Sequence, residues 1–596
     1  MIRSERFVGE DPGGDVDRHA DGHYTTRAGR ASVLPSTRVN APRLILQASC
    51  AGLYGALLLA VVLRVLHPEP APLDWAMAMV PVLLVYTLAA GILWPLLYGV
   101  VRFFASRPVQ VPVFSLRYVM SFHVANASLI MMSLAVTLWR FRRSINPEAA
   151  WRLEVLGAAV ALTWVYAAIV CIVPMLKRRV ALPASAAGLT LAALLAPVWS
   201  PAVPAPAIDR AGPAVVGLRP LERRLVWLDF DGADLEDVLT LEAQGKLPAF
   251  SRLRREGAFG RLQSLLPCAT MVTRATLSTG RMPYRSGVPA AWSRDLMARP
   301  VAVKVVPSGI GFDLMLAPFM TRRPLTVGDR RAPALWDIAV ATGGTGMAEG
   351  WEIDLDQGGS AASTSAERAV AWRLAAEFLE SETADDPDPG TRDLIADLAR
   401  AAAADDGVAR AFEEVEARTG PGVYALCFPG IDRVAHRFLR YARPGGFGNV
   451  TDREVERFGQ VLERYYIRLD AFVARGLRTR GEDGLLLVTS SYGMEPVPLW
   501  RRIASGAISA AAESGTHDGA PWGFLFAFGP GVRHGATFGR ASIADVLPTA
   551  LYALNLPIAR DLHGSIVEQV LTPGFTLDHP AIVIDTYGHP IGSRTR

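Results

Sequence analysis

Hydrophobic positions follow two regimes along this chain. Between residues 44 and 200 they form five long apolar runs, roughly 44–66, 75–101, 117–139, 153–176 and 181–200, with short polar connections. A helix needs about 20 mostly apolar residues to cross ~30 Å of hydrocarbon, so the first four runs predict transmembrane helices. The fifth is alanine-rich, runs into prolines and is the weakest of the set. Residues 1–43 are polar, show no apolar period and read as a disordered tail. The first run begins too far from Met1 to be the core of a cleavable signal peptide.

After about Leu218 the runs become short and β-rich: Arg224–Phe230, Gly422–Phe428, Gly484–Ser490 and Trp522–Phe528. Near-continuous apolar stretches of this length predict strands of a largely parallel sheet buried on both faces. Helical patterns lie between them, with one apolar stripe through Val455, Phe458, Val461, Leu462, Tyr465, Leu469 and Phe472 and a second helical region at about 391–418. Alternating strands and helices predict an α/β domain. The expected order is a tail (1–43), an all-α transmembrane region (44–200), a Pro/Ala-rich linker (201–220), the α/β domain (221–570) and a C-terminal extension (571–596).

Composition sharpens this division. Hydrophobic residues make up 51% and charged residues 20%, too apolar for disorder throughout. The net charge of +4 is +8 over residues 1–217 and −4 over the remainder. The basic excess lies in the tail and between apolar runs, which favours membrane orientation over nucleic-acid binding. With five spans, Lys and Arg number thirteen on the side of the tail and five on the other. That places the N-terminus in the cytoplasm and exports the C-terminal domain; in a bacterium this is the inner membrane with a periplasmic or extracellular domain. The basic 140–152 connection runs against the trend. His123 is the one ionisable residue well inside a run, so the spans read as an anchor rather than a transport path. Four cysteines with no CxxC pair exclude a disulfide scaffold and a zinc ribbon.

In parallel sheets ligands gather beyond the carboxyl ends of the strands. The polar residues there are Asp231-Gly232, Asp432, Ser491-Tyr492-Gly493 and, just before the fourth run, Gly515-Thr516-His517. Taken singly each has a bland reading: Asp-Gly is commonly a turn, a lone His a structural residue, and Thr279-Gly280 a helix C-cap.

Together, and in order, they carry a resemblance. LDFDGADLEDVLTLEAQGKLPAFSRLRREGAFGRLQSLLPCATMVTRATLSTGRMPYRSGV (228–288), GIDRVAHRF (430–438), TSSYGMEP (489–496), SGTHDGAPWGFLFAFGPGV (514–532) and SIADVLPTALYALNLPIARDLHG (542–564) resemble type I phosphodiesterase/nucleotide pyrophosphatase domains of the alkaline phosphatase superfamily. The resemblance implies an alkaline-phosphatase-like fold, Thr270 as the nucleophile, and Asp231, Asp432, His436 and His517 as metal ligands, with zinc as the metal. Two imidazoles, a carboxylate and an open position suit a catalytic zinc. A threonine hydroxyl needs a metal or base to become a nucleophile, and a pair of cations about 3.5–4 Å apart can clamp both oxygens of a phosphoryl displacement.

One landmark departs from the family. Its Ser-Asp-His-Gly reads Ser490-Ser491-Tyr492-Gly493, so both ligands expected at 491 and 492 are missing. Asp229, Glu495 and Asp518 are the nearby carboxylates left to substitute. Cys268 is followed by Ala269-Thr270-Met271-Val272 and lacks the Pro and Arg of a sulfatase nucleophile motif. Two readings stand: a membrane-anchored phosphoester hydrolase or transferase with an altered second metal site, acting on a phosphodiester or lipid-linked substrate; or a catalytically inactive relative with a binding or scaffolding role.

Overall fold

The computed structural model describes residues 41–66, 72–104, 116–172 and most of 220–588, with the larger internal gaps at 304–319, 354–372, 380–388 and 507–512. The tail up to residue 40, the fifth apolar run and nearly all of the linker lie outside the described residues.

Four long helices open the described chain: α1 (Ala41–Leu66), α2 (Pro72–Phe104), α3 (Leu116–Phe141) and α4 (Pro147–Ile172). They pack as two antiparallel neighbours, α1 with α2 and α3 with α4. About five spans were expected; among the described residues one stretch, Met79–Leu97 in α2, is long and apolar enough to cross a membrane, and Leu44–Tyr54 in α1 is a shorter apolar stretch. The charged residues of α4, Glu148, Arg152 and Glu154, lie near its start. An all-α transmembrane bundle therefore does not follow from these helices. Along α2, Leu88, Ile92, Leu93 and Leu96 stand outward and exposed.

The second unit is a mixed α/β domain around a seven-stranded sheet. Its strands are β1 (Arg224–Phe230), β2 (Ala258–Gln263), β3 (Thr345–Glu349), β4 (Gly422–Phe428), β5 (Leu485–Ser490), β6 (Gly523–Phe528) and β7 (Ala536–Ser542). Their spatial order is β7-β2-β6-β5-β1-β4-β3. Strands β1, β3, β4 and β5 pair in parallel, as do β2 and β7, whereas β6 runs antiparallel to both its neighbours.

Why the strands read as continuous apolar runs is visible in β1. Leu225 and Trp227 point into one core, Val226, Leu228 and Phe230 into the other. The first core is closed by helices Thr270–Thr279, Leu335–Ala341 and Val546–Ala553, the second by Pro389–Ala417, Gly430–Ala442 and Val461–Thr479. The apolar stripe of 455–472 is divided between two helices, Asp452–Phe458 and Val461–Thr479, with a turn at Gly459-Gln460. Apolar spacing alone does not register that break, because both helices bury the same face.

Helix Pro389–Ala417 fixes helix Gly430–Ala442 by charge. Asp397 binds Arg433 and Arg437, each at 2.9 Å. Asp405, fully buried, accepts the Gly430 N–H at 2.9 Å and the Tyr465 hydroxyl at 2.8 Å. Burial pushes the Asp405 carboxyl up to about 7, with the Tyr465 hydrogen bond opposing it. The folded chain thus keeps this proton up to about pH 7, while the unfolded chain loses it near 3.8. Stability should fall as pH rises between those values, by up to about 1.4 kcal/mol per pH unit, and level off above. Thermal melts of Asp405→Asn across this window should show a shallower slope than wild type. Some slope should persist, because buried Asp229 is likewise pushed up to about 7.

Candidate active site at the sheet rim

The rim is assembled by strand direction. Strands β1, β4 and β5 end there, and β6, being reversed, begins there. This is why His517, which precedes its strand, joins residues that follow theirs.

From the end of β4 the chain turns through Pro429 into helix Gly430–Ala442, which carries Asp432 and His436 one turn apart on one face. The backbone of the same helix captures the segment before β6: the His436 carbonyl accepts from the Ser514 N–H at 2.7 Å and its hydroxyl at 3.0 Å. The His436 imidazole Nδ1 lies 2.8 Å from the Gly515 carbonyl oxygen. A carbonyl can only accept, so Nδ1 carries the hydrogen and Nε2 presents its lone pair, the tautomer a metal-binding histidine needs. His517 follows immediately, with its ring centroid 5.0 Å from that of His436.

Asp432, His436 and His517 are all buried, and their ligand atoms lie within 4.8 Å of one another. The Asp432 oxygens sit 3.7 Å from His436 Nε2 and 3.9 Å from His517 Nε2. Two imidazoles with a carboxylate are the donor set of a zinc site. The residues present fit a divalent metal.

Gly232 secures the approach. It adopts φ +76°, and a Cβ placed there would stand 2.5 Å from Asp432 Oδ1. The Asp-Gly pair after β1 is thus a turn, as its bland reading holds, and also the only kind of turn that admits Asp432.

Asp231, expected as a ligand, lies apart from this trio. It is 1% exposed, and its Oδ2 is 2.9 Å from Arg274 Nη2. Its Oδ1 has no hydrogen-bond partner among the described residues. Arg274 is fully buried; its Nη1 donates to the carbonyls of Trp351 at 3.2 Å and Ile353 at 2.5 Å. Burial opposes its charge, but the Asp231 carboxylate beside it, together with Cys427, Tyr492 and Asp229, more than offsets that. Sequence reasoning missed Arg274. The signal was there, four residues after Thr270 on one helix face, but a lone arginine in an apolar helix has no partner until the fold supplies one.

Thr270 is the first residue of helix Thr270–Thr279 and is buried. Its hydroxyl lies 2.9 Å from the Tyr492 hydroxyl. Tyr492, at the position of a missing family histidine, is fully buried; burial first, then Asp231 and Asp432, raise its phenol well above the ordinary value. Its ring also packs 4.4 Å from that of His517. Ser491, at the other substituted position, turns away and donates to Thr273 Oγ1 at 3.2 Å. Gly280 is a left-handed C-cap, φ +61°, as expected for Thr279-Gly280.

The carboxylates considered as substitutes do not join the trio. Asp229 is enclosed within the sheet, accepting from Thr489 at 2.6 Å with Cys427 Sγ at 3.5 Å. Asp518 pairs with Arg501, and Glu495 accepts the Gly519 N–H at 3.1 Å. Cys268 and Cys427 are free and buried.

The N-terminal helices reach this rim. The Ser144 hydroxyl, in the turn between α3 and α4, donates to the Leu266 carbonyl, and Arg140 Nη2 donates to the Asp518 carbonyl at 3.1 Å. Leu266 packs on the apolar cluster of α3 and α4. Both contacted loops lead into site residues, Thr270 and His517.

Comparison with known proteins agrees with the geometry in part. Residues 225–512 match the family model of type I phosphodiesterase / nucleotide pyrophosphatase; His517 lies just beyond the match. Among solved structures, murine ectonucleotide pyrophosphatase/phosphodiesterase 5 aligns at 14% identity over 59% of this chain and 100% of its own, with a TM-score of 0.34. An inactive form of the same murine protein in complex with AMP aligns with the same figures. No curated protein matches. Residues 225–512 therefore form a type I phosphodiesterase/nucleotide pyrophosphatase-like domain.

Proposed function

We propose that this chain is a membrane-anchored phosphoester hydrolase or transferase in which Thr270 is the nucleophile and Asp432, His436 and His517 hold one divalent metal, zinc by donor set. The observation that carries the reading is the convergence of three buried donors within 4.8 Å from two separate segments, with the His436 tautomer fixed by Gly515. Chance clustering does not also prepare the lone pair.

When bound, the metal supplies Lewis acidity at the phosphoryl group. The chain's own residues do the rest. Tyr492 holds the Thr270 hydroxyl in place, and Thr270 opens helix Thr270–Thr279, whose positive dipole end suits phosphate oxygens. Attack by Thr270 Oγ1 on phosphorus forms a threonine–phosphorus ester as the bond from phosphorus to the leaving oxygen breaks, and the hydroxyl proton passes through solvent to that oxygen. Water or an acceptor alcohol then attacks the same phosphorus, the Oγ1–phosphorus bond breaks, and the proton of the attacking group restores the Thr270 hydroxyl. Arg274 keeps the Asp231 carboxylate neutralised beside this chemistry.

The lipid-linked substrate and the exported location are further parts of the proposal. The Met79–Leu97 helix supports an anchor. With a cytoplasmic N-terminus the α3–α4 turn would lie on the exported side, and its contacts with Leu266 and Asp518 support a domain on that same side. A rim that touches the anchor opens close to the bilayer, where a lipid headgroup phosphodiester is the natural substrate. The alternative, an inactive scaffold, is favoured by Ser491 and Tyr492 standing in place of an acidic and a histidine ligand.

Hydrolysis of bis(p-nitrophenyl) phosphate by the full chain in detergent decides between these readings. Thr270→Ala should lower it by roughly 10³-fold or more while leaving zinc content unchanged, since the residue acts as nucleophile rather than ligand. Turnover that ignores this substitution, or a protein that never retains zinc, would leave only the scaffold. Gly232→Ala should cost at least about 1–2 kcal/mol in stability and weaken zinc retention, because the new methyl displaces Asp432; competition with a chromogenic chelator measures it. In sealed vesicles with the exported face outward, added protease should degrade the domain; protection would reverse the orientation.

A further inference from the structure

We infer that this site takes a single metal ion, because the Arg274 guanidinium and the Tyr492 hydroxyl occupy the roles that a second cation fills in a two-metal phosphodiesterase site. The inference rests on the reading of Asp432, His436 and His517 as metal ligands, and goes beyond it by assigning the other half of the site.

Charge makes the first argument. Asp231 is a buried carboxylate that requires a positive neighbour, and Arg274 supplies one at 2.9 Å. A divalent ion bound to the same carboxylate would face a fixed guanidinium in a low-dielectric setting, where like charges repel strongly. Nor can Arg274 swing aside. It is fully enclosed, and its other amino group is held by the carbonyls of Trp351 and Ile353.

Ligand count makes the second. Around Asp231 the available donors are already committed: Ser491 to Thr273, Tyr492 to Thr270, Asp229 to Thr489 and Cys427. Of these side chains, among the described residues, Asp231 leaves one oxygen, Oδ1, without a hydrogen bond, and one oxygen does not hold a transition metal. Among the described residues, Asp432, His436 and His517 are the only group of three such donors.

The two functions of a second cation are then divided. Arg274 neutralises the carboxylate facing the reaction, as a permanent charge that no chelator removes. Tyr492 positions the Thr270 oxygen. Both act as positioning residues through Asp231 and Thr270.

Metal stoichiometry tests this without relying on activity. The full chain in detergent is stripped with chelator, reloaded with excess zinc, desalted and analysed by mass spectrometry. Wild type should retain about one zinc per chain. Ser491→Asp with Tyr492→His restores the family's missing ligand pair; with Arg274 present, this double variant should still hold one. Adding Arg274→Met to that pair should raise the count to two, while Arg274→Lys, which keeps the charge, should leave it at one. Two zinc ions in wild type, or in the double variant with Arg274 intact, would overturn the inference while leaving the proposed function standing. No zinc in wild type would instead overturn the three-ligand reading and this inference with it. The wild-type count requires no variant to fold, and near-ultraviolet circular dichroism identifies any variant that does not.

Discussion

Carboxylates at the buried end of a sheet must be neutralised, and that constraint organises this rim. Three aspartates meet it in three ways. Asp229 accepts hydrogen bonds from neighbouring strands and, pushed up to about 7 by burial and by Asp231, is poised to carry a proton near neutrality. Asp231 takes a guanidinium. Asp432 stands against two imidazoles, one held by a backbone carbonyl in the tautomer that leaves its Nε2 lone pair for a cation. Three different ways of meeting one electrostatic demand thus stand side by side at this rim.

That division explains what could be read from the sequence. Strands β1, β4, β5 and β6 were legible to within a residue, because each is enclosed on both faces and so becomes an unbroken apolar run; β2, β3 and β7, each partly exposed, form no such run and went unread. The trio was legible because its members follow or precede those runs and match ordered landmarks. The direction of β6 was not, since a fully buried strand has the same composition either way. Arg274 was invisible for a related reason: its meaning lies in Asp231, 43 residues earlier, and in the carbonyls of 351–353. The break at Gly459-Gln460 escaped because periodicity records a buried face, not backbone continuity.

The N-terminal helices show the opposite failure. Runs of apolar residues suggested about five spans, yet among the described residues one stretch, in α2, is long and apolar enough to cross a membrane. Charged groups of α3 and α4 gather at the turn between them. Arg142 pairs with Glu154 at 3.1 Å and Arg152 with Glu148 at 2.8 Å, both near the turn that meets the α/β domain. The basic 140–152 connection, which opposed the orientation read from charge, is explained in part by these contacts: its arginines pair with acidic residues of α4 and, through Arg140, with the Asp518 carbonyl.

That contact also links the two units energetically. Asp518 follows His517 directly, and Leu266 lies four residues before Thr270. A shift of the α3–α4 turn therefore pulls on both the presumed nucleophile and a presumed metal ligand, through backbone rather than through solvent. Loops that carry catalytic groups are ordinarily the most mobile parts of a domain, and reactive geometry tolerates little displacement. Bracing these two loops against a pair of packed helices answers both problems at once. On the proposed reading the helices are then more than a tether: they form part of the framework that keeps Thr270 and His517 in register.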